Sequence, residues 1–477
     1  MVPRGAGGAL GYHARMHAYD VLVIGTGPAG EGAAMMAAKS GRRVAVIERF
    51  AEVGGGCTHW ATIPSKALRQ AARTLRSARD NPLLQSLRPQ LQIDYPTLLS
   101  SAGSVIEAQA AMRRRFYERN RVPVVTGSAS FVDAHTLEVR SAHGAAERLD
   151  AAHIVVATGS RPYHPPELDF SHPRVRDSDS ILRYTGKPFG VAIFGAGVIG
   201  CEYASIFLSL GCKVTLVNTQ ERLLSFLDDE ITEALSYHLH EQGCVIHHHE
   251  QLGELHTRDS DLVLELVSGR RVRCDLLLWA NGRTGNTDGM NLEAVGLTTN
   301  SRGQLPVNAH FQTEVPNIYA VGDVCGPPAL ASAAYVQGCR AAEHLIDPAR
   351  AAVRPELIPS GIYTLPEISC VGLTERELIA QRIPYEVGRA SFKSLARAQL
   401  ANERIGMLKL LFHTQTLRVL GVHCFGDGAA EIVHIGQTVM AGHDINSVRF
   451  FTETTFNYPT MAEAYRVAAY NGLNRLA

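Results

Sequence analysis

The sequence has no surplus of charge, no long apolar run and no closely spaced pair of cysteines, and each absence excludes a class of protein. Lys plus Arg number 46, as do Asp plus Glu, so we expect neither nucleic acid nor an anionic membrane as a partner. No stretch approaches the ~18–20 apolar residues of a membrane helix. The nine cysteines form no C-x-x-C pair, which argues against a disulfide framework and predicts a reducing compartment, the cytoplasm.

The chain is too long for one hydrophobic core, because 477 residues exceed the size at which chains divide into domains. Residues 1–16 have no apolar signal-peptide segment and are predicted to be a disordered leader. The histidine run His247–His249 has no cysteine or carboxylate cluster beside it in sequence, so we predict no metal site.

Residues 20–30, DVLVIGTGPAG, run from an apolar strand into a glycine-rich turn and a helix. The glycines are Gly25, Gly27 and Gly30, and the next strand ends in Glu48. Glycines let the backbone approach a pyrophosphate, the helix N-terminus supplies free N–H groups, and the acid accepts hydrogen bonds from a ribose hydroxyl. The segment therefore predicts a dinucleotide site.

The same pattern recurs in residues 190–200, GVAIFGAGVIG. Its glycines are Gly195, Gly197 and Gly200. The position equivalent to Glu48 is Asn218, which neither repels the 2′-phosphate of NADP as a carboxylate would nor attracts it as a basic residue would. Arg222 adds a positive charge nearby, partly offset by Glu221. Two interpretations stay open: a pocket that accepts both NAD and NADP, or a residue that simply ends a strand.

Two fingerprints indicate two dinucleotides, as in hydride-transfer enzymes that combine a flavin with a nicotinamide. Alternating strands and helices up to about residue 220 favour parallel α/β sheets. Residues 404–426 differ, because two β-rich runs joined by a short polar link predict an antiparallel hairpin.

With these features the sequence resembles the flavoprotein disulfide reductases, in motif order over nearly the whole chain after residue 16. Four further segments carry the resemblance: IVVATGSRP (154–162), NIYAVGDV (317–324), YTLPEISCVGLTE (363–375) and FNYPTMAEAY (456–465). The resemblance implies an α/β fold with two Rossmann-like dinucleotide-binding domains and a C-terminal α+β dimerisation domain. The implied bounds are 17–160 and 286–352 for a split FAD-binding domain, 161–285 for the NAD(P)-binding domain and 353–477 for the interface domain.

The resemblance also implies roles for individual residues. Thr158 and Gly159 lie in the segment that passes beside FAD, Asp323 holds its ribityl chain, and Cys57 lies on the flavin wall. Lys66 and Glu202 pair near the reactive flavin nitrogen, where a cation stabilises negative charge.

Two departures from the family remove its thiol chemistry. Five residues after Cys57, where a second cysteine would pass electrons, the sequence has Thr62, and a hydroxyl forms no disulfide. The tail segment that reaches the partner subunit's flavin site has Tyr458 where a histidine would exchange protons, although Glu463 is retained. Tyrosine, with a reference pKa of about 10, is a poor base near neutrality. Thr62 is expected to face the flavin and hydrogen-bond to it.

Electrons that enter from a nicotinamide must therefore leave by another route, most simply to a second nicotinamide. We predict an FAD enzyme that moves a hydride between NADPH and NAD by a ping-pong mechanism in one pocket, as a homodimer or larger homo-oligomer. Three alternatives remain open. The first is another FAD-dependent NAD(P)H reductase: a diaphorase, a quinone reductase or an NADH oxidase. The second is a non-catalytic redox sensor, and the third is a disulfide reductase.

Overall fold

The computed structural model describes residues 17–91, 93–258, 260–349 and 357–476. The predicted leader, residues 1–16, and the predicted domain boundary at 352–353 lie outside the described residues.

Strands and helices alternate through much of the described chain. The strands are β1 (Tyr19–Ile24), β2 (Val44–Glu48), β3 (Val124–Thr126), β4 (Ser128–Asp133), β5 (Thr136–Arg140), β6 (Ala146–Val156), β7 (Ser160–Pro162), β8 (Val175–Asp177), β9 (Gly190–Phe194), β10 (Lys213–Val217), β11 (Val245–His247), β12 (Leu252–Thr257), β13 (Leu262–Leu266), β14 (Arg271–Cys274), β15 (Leu276–Trp279), β16 (Arg283–Gly285), β17 (Ile318–Ala320), β18 (Ser360–Ile362), β19 (Ile368–Gly372), β20 (Tyr385–Ser391), β21 (Gly406–His413) and β22 (Val419–Gly426).

The helices are α1 (Pro28–Lys39), α2 (Gly55–His59), α3 (Thr62–Asp80), α4 (Tyr95–Ser100), α5 (Gly103–Arg119), α6 (Val198–Ser209), α7 (Asp229–Glu241), α8 (Ala331–Ile346), α9 (Glu375–Ala380), α10 (Ala396–Leu400), α11 (Ala429–Ala441), α12 (Phe450–Glu453) and α13 (Glu463–Leu473). Short 3-10 segments join them at Pro82–Gln90, Ile181–Arg183, Leu292–Val295, Gly322–Cys325 and Phe392–Ser394.

These elements form two compact units, each discontinuous in sequence. The first contains the described parts of Met1–Gly55, Met112–Gly159 and Gly285–Val353. The second contains the described parts of Gly56–Ala111, Ser160–Thr284 and Arg354–Ala477.

The first unit is built on a seven-stranded sheet in the order β3-β2-β1-β6-β5-β4, with β17 also paired to β6. Strand β1 is parallel to β2 and β6, and its apolar run is covered on both faces, as parallel sheets require. Strands β4, β5 and β6 form an antiparallel meander, which the sequence did not predict. Its connections, 134–135 and 141–145, are far shorter than the dozen or so residues that a parallel crossover needs.

The second unit contains three sheets of three or more strands, and β7 and β16 form a further two-stranded sheet. A parallel sheet in the order β11-β10-β9-β15-β8 carries the second glycine-rich turn, and an antiparallel sheet joins β12, β13 and β14. The C-terminal sheet has the order β18-β19-β22-β21-β20. In it β21 and β22 pair antiparallel from Gly406 and Gly426 onward, so the predicted hairpin is confirmed.

None of the helices formed by the described residues combines the length and the hydropathy that crossing a bilayer requires.

Candidate functional site

The first glycine-rich turn leaves an open approach to the N-terminus of α1. Gly25 has a φ of 108°, and a Cβ there would lie 2.4 Å from the carbonyl oxygen of Ala157. A Cβ at Gly30 would lie 2.0 Å from the oxygen of Gly25, whereas no atom of the described chain lies within 4 Å of one at Gly27. No side chain caps α1, so the turn offers free N–H groups and space for a phosphate.

Glu48 is fixed below this turn by three hydrogen bonds. Its Oε2 accepts from the backbone N–H of Thr26 at 3.0 Å and the hydroxyl of Thr26 at 2.5 Å, and its Oε1 accepts from the N–H of Phe50 at 3.1 Å. The hydroxyl of Thr26 also accepts the N–H of Gly54 at 2.9 Å. Thr26 was not identified as a site residue from the sequence. Its position between Gly25 and Gly27 was the feature that could have indicated this role.

The other predicted FAD residues follow strands at the same sheet edge. Strands β1, β6 and β17 align at their carboxyl ends, where Ile24 and Ala320 both pair with Val156. Ligands bind at this edge of open α/β sheets. The glycine turn, Thr158 and the 3-10 segment with Asp323 begin within three residues of these strand ends.

Thr158 supplies an unused polar group at this edge. Its hydroxyl is buried and finds no hydrogen-bond partner among the described residues. The carbonyl groups of Thr158 and Gly159 are both taken by Asn286, at 3.0 Å each. An orphaned hydroxyl, an uncapped helix and the open space at Gly27 together fit a bound dinucleotide.

The second glycine turn, in the second unit, repeats this geometry. Gly195 has a φ of 109°, and its Cβ would lie 2.6 Å from the oxygen of Ala280. A Cβ at Gly200 would lie 1.8 Å from the oxygen of Gly195, and no described atom lies within 4 Å of one at Gly197. Helix α6 also starts without a side-chain cap. The two turns therefore share one geometry, and this geometry fits the pyrophosphate of a dinucleotide.

Asn218 directly follows β10 and turns its amide into the loop after the strand. The side chain is only 3% exposed. Its Nδ2 lies 2.9 Å from the carbonyl oxygen of Gln220 and 2.8 Å from that of Arg222, and its Oδ1 accepts the N–H of Gln220 at 3.2 Å. In this arrangement Asn218 shapes the loop that carries Arg222.

Arg222 is paired with a carboxylate rather than free. Its Nη1 lies 2.5 Å from Oδ1 of Asp229, and this contact raises the pKa of the Arg222 guanidinium. The loop is attached to the second glycine turn because the N–H of Leu224 donates to the oxygen of Ala196 at 3.0 Å.

Lys66 and Glu202, separated by 136 positions in sequence, form an ion pair. The ammonium of Lys66 lies 2.9 Å and 2.7 Å from the two carboxylate oxygens of Glu202. The Glu202 side chain is 5% exposed and that of Lys66 27%. Glu202 also accepts the N–H of Tyr363 at 2.9 Å, and the ammonium lies 5.1 Å from the centroid of the Tyr363 ring.

Cys57 lies in the short helix α2 and Thr62 is the first residue of α3; both are half-buried. No disulfide joins any of the nine cysteines, all of which are described. Tyr458 is 64% exposed in the single chain, and Glu463 pairs with Arg466 at 2.8 Å.

Three carboxylates, of Asp228, Glu230 and Glu375, form the one group with metal-ligand spacing among the described His, Cys, Asp and Glu residues. The buried ammonium of Lys409 contacts all three, at 2.7 Å from Asp228 and 3.0 Å from Glu230. The cluster is therefore an ion-pair network whose cation is already present.

Comparisons with known proteins match this chain over nearly its whole length. The family model of the pyridine nucleotide-disulphide oxidoreductases matches residues 19–338, and the model of their dimerisation domain matches residues 358–469. The soluble pyridine nucleotide transhydrogenase of Colwellia psychrerythraea is 56% identical over 459 residues, 96% of this chain and 98% of the relative. That of Vibrio cholerae is 55% identical with the same coverage.

Solved structures agree in fold. The HOCl-induced flavoprotein disulfide reductase RclA from Escherichia coli, in its Cu(II) complex, superposes with a TM-score of 0.86 at 25% identity, covering 95% of this chain and 99% of that one. LpdA from Mycobacterium tuberculosis gives 0.85 at 25% identity, covering 96% and 100%. The predicted fold class is thereby confirmed. The chain belongs to the pyridine nucleotide-disulphide oxidoreductase family, among the soluble pyridine nucleotide transhydrogenases.

Proposed function

We propose that the protein uses FAD to move a hydride between NADPH and NAD, binding the two nucleotides in turn. The observation that carries this proposal is Thr62 in place of a second thiol, in a chain that keeps both glycine turns intact. The transhydrogenases that share more than half of its residues support the same activity.

FAD supplies the chemistry of accepting a hydride from one nicotinamide and giving it to another. The first unit holds it through the N–H groups beside Gly27, the carboxylate of Glu48 at a ribose hydroxyl, and Asp323 at the ribityl chain. The orphaned hydroxyl of Thr158 is a further hydrogen-bonding group for the cofactor.

Further residues are assigned to the charge near the flavin and to the substrate site. We assign to Lys66 the stabilisation of negative charge that develops on the flavin, with Glu202 fixing the position of its ammonium. We assign to Thr62 a hydrogen bond to the flavin. We place Cys57 in the wall of the flavin site, where its thiol takes no part in the reaction. Gly197 and its neighbours hold the nicotinamide dinucleotide.

One pocket must accept both nucleotides, and the loop after β10 suits this requirement. A carboxylate at position 218 would repel the 2′-phosphate of NADP, whereas the buried amide of Asn218 carries no charge. Arg222 provides a cation for that phosphate. Its pairing with Asp229 keeps the cation neutralised when the nucleotide lacks the phosphate.

The dimerisation-domain match makes the protein a homo-oligomer. We propose a homodimer as its smallest form, with Tyr458 and Glu463 in the partner subunit's flavin site. We also propose the domain division 17–160 with 286–352, 161–285 and 353–477. The nine cysteines without disulfides support a cytoplasmic location.

An anaerobic steady-state assay separates this function from that of a quinone reductase. The purified holoenzyme receives NADPH with either a spectrally distinct NAD analogue or a quinone, at matched concentrations. We expect turnover with the analogue to exceed turnover with the quinone at least tenfold. A faster reaction with the quinone would contradict the proposal.

A further inference from the structure

The carboxylate of Asp229, the first residue of α7, lies between two arginines. Its Oδ1 lies 2.5 Å from Nη1 of Arg222 and 3.3 Å from Nε of Arg376. All three side chains are about one-third to one-half exposed. One anion thus contacts two cations where the loop after β10 leads into α7.

The two arginines differ in how firmly they are held. Nη2 of Arg376 donates to the carbonyl oxygens of Ser225 and Leu227, at 2.6 Å and 2.8 Å. These bonds fix Arg376 to the loop independently of Asp229. Among the described residues, the guanidinium of Arg222 forms ion pairs with Asp229 and, at 3.8 Å, with Glu221.

A pocket that binds NADPH and then NAD faces a charge problem. A bare arginine favours the nucleotide with a 2′-phosphate, and a carboxylate at the ribose favours the nucleotide without it. We propose that Asp229 is an exchangeable counter-ion that balances the two affinities. Asp229 pairs with Arg222 when the bound nucleotide has a 2′-hydroxyl. When the nucleotide has a 2′-phosphate, Arg222 pairs with the phosphate instead of with Asp229.

Arg376 completes this exchange because Asp229 keeps one guanidinium partner in both states. Without Arg376, release of Arg222 would leave an anion next to the incoming phosphate, and like charges would oppose binding. The inference rests on the proposed function and names the residue that tunes its substrate preference.

The test is Asp229→Asn in the FAD-loaded enzyme, with kcat/KM measured for NADPH and for NADH in separate assays. Because exposed ion pairs are weak, we expect kcat/KM for NADPH to rise about three- to tenfold. The value for NADH should change less than twofold. The gain should be confined to KM and should shrink in high salt, which screens Arg222 and the phosphate from each other.

Glu221→Gln is the matched control, since it removes a carboxylate from the same loop. Glu221 lies 3.8 Å from Arg222 and its side chain is 72% exposed, so the preference should stay within twofold of the wild type. In an Arg222→Gln background, Asp229→Asn should no longer change the preference. Asp229→Ser replaces Asp229→Asn if the latter loses FAD.

An equal loss of kcat/KM for both nucleotides, or an unchanged ratio, would overturn the counter-ion role. Hydride transfer from NADPH to NAD is measured in the wild type in the same series. If the wild type transfers hydride but Asp229→Asn does not change the ratio of kcat/KM for NADPH to that for NADH, the inference on Asp229 fails and the proposed function stands. If the wild type transfers no hydride, the proposed function itself fails.

Discussion

At the scale of single residues, the pair of Lys66 and Glu202 joins a partly exposed cation to a nearly buried anion. Lys66→Met should slow reduction of the flavin by NADPH about 100- to 1,000-fold, as expected when one stabilising charge is removed from a transition state. Lys66→Arg, which keeps the charge, should recover part of the rate. Stopped-flow flavin absorbance measures each rate.

The same pair offers a control for stability. Lys66→Met leaves the Glu202 carboxylate buried without its cation and should lower the thermal midpoint. The double variant Lys66→Met/Glu202→Gln should recover the midpoint but not the rate. Recovery of both would show that Lys66 has only a structural role.

Cys57 has no second redox cysteine five residues on, so thiol chemistry is not expected to contribute to turnover. Cys57→Ser should keep its transhydrogenase rate within tenfold of the wild type, a difference below ~1.4 kcal/mol in activation free energy. Steady-state kinetics of the two proteins, normalised to FAD content, provides the comparison. A loss of rate greater than tenfold would show that the Cys57 thiol takes part in the reaction.

Sequence patterns predicted the residues that follow strands in short motifs, since the spacing of glycines, Glu48 and Asp323 is local. They could not predict that Asn218 points into its own loop. Nor could they predict that Asp229 is shared with Arg376, 147 positions later in the chain. Such partners depend on how distant segments fold together, and one sequence carries no record of that.

At the scale of elements, α1 and α8 of the first unit approach closely through glycine. A Cβ at Gly338 would lie 2.0 Å from the oxygen of Ala29 and 2.8 Å from the nitrogen of Ala33. Gly338→Ala should destabilise the protein by about 1–3 kcal/mol, as overpacking does. It should also weaken FAD binding, because α1 carries the first glycine turn.

Thermal unfolding and FAD titration of the apoprotein measure both effects. Gly103→Ala is the matched control, because no described atom lies within 4 Å of a Cβ at that helix start. A Gly338→Ala protein as stable as the control would contradict the close packing of α1 and α8.

Helix α3 contributes an arginine that contacts two neighbouring carboxyl groups in the second unit, those of Glu403 and Asp427. Arg73 lies 3.0 Å from Glu403 and 2.5 Å from Asp427. Burial, together with the hydrogen bond and negative charge of Glu403, raises the pKa of Asp427 to about 7. An acid with a raised pKa in the folded state stabilises the fold at low pH, and this contribution is lost as pH rises through about 7.

Asp427→Asn mimics the protonated acid at every pH. Its thermal midpoint relative to the wild type should therefore rise between about pH 4 and pH 7 and stay level above that. The rise should shrink in a Glu403→Gln background, where the carboxyl pair is already broken. A difference that does not vary with pH would show that the pKa of Asp427 is not raised in the folded state.

The hairpin of β21 and β22 was predictable because its apolar runs and polar link are contiguous. The meander of β4, β5 and β6 was not, because the alternation of strands and helices around it favoured a parallel sheet. The two connections between β4, β5 and β6 are short, and short connections require antiparallel strands. The length of these connections was the feature of the sequence that could have predicted the meander.

At the scale of the whole molecule, the order of motifs predicted the fold class, and the missing thiol and histidine predicted the activity. FAD and the nicotinamide nucleotides followed from two fingerprints whose geometry the structure repeats in both units. The size of the assembly depends on surfaces that a single chain's motifs do not describe.

In the proposed function, electrons from one nicotinamide leave through another. The most direct test is sequential-mixing stopped flow without oxygen, in which NADPH first bleaches the flavin absorbance and excess NAD is then added. We expect the absorbance to return, at least as fast as steady-state turnover. A flavin that stays bleached in excess NAD would contradict it.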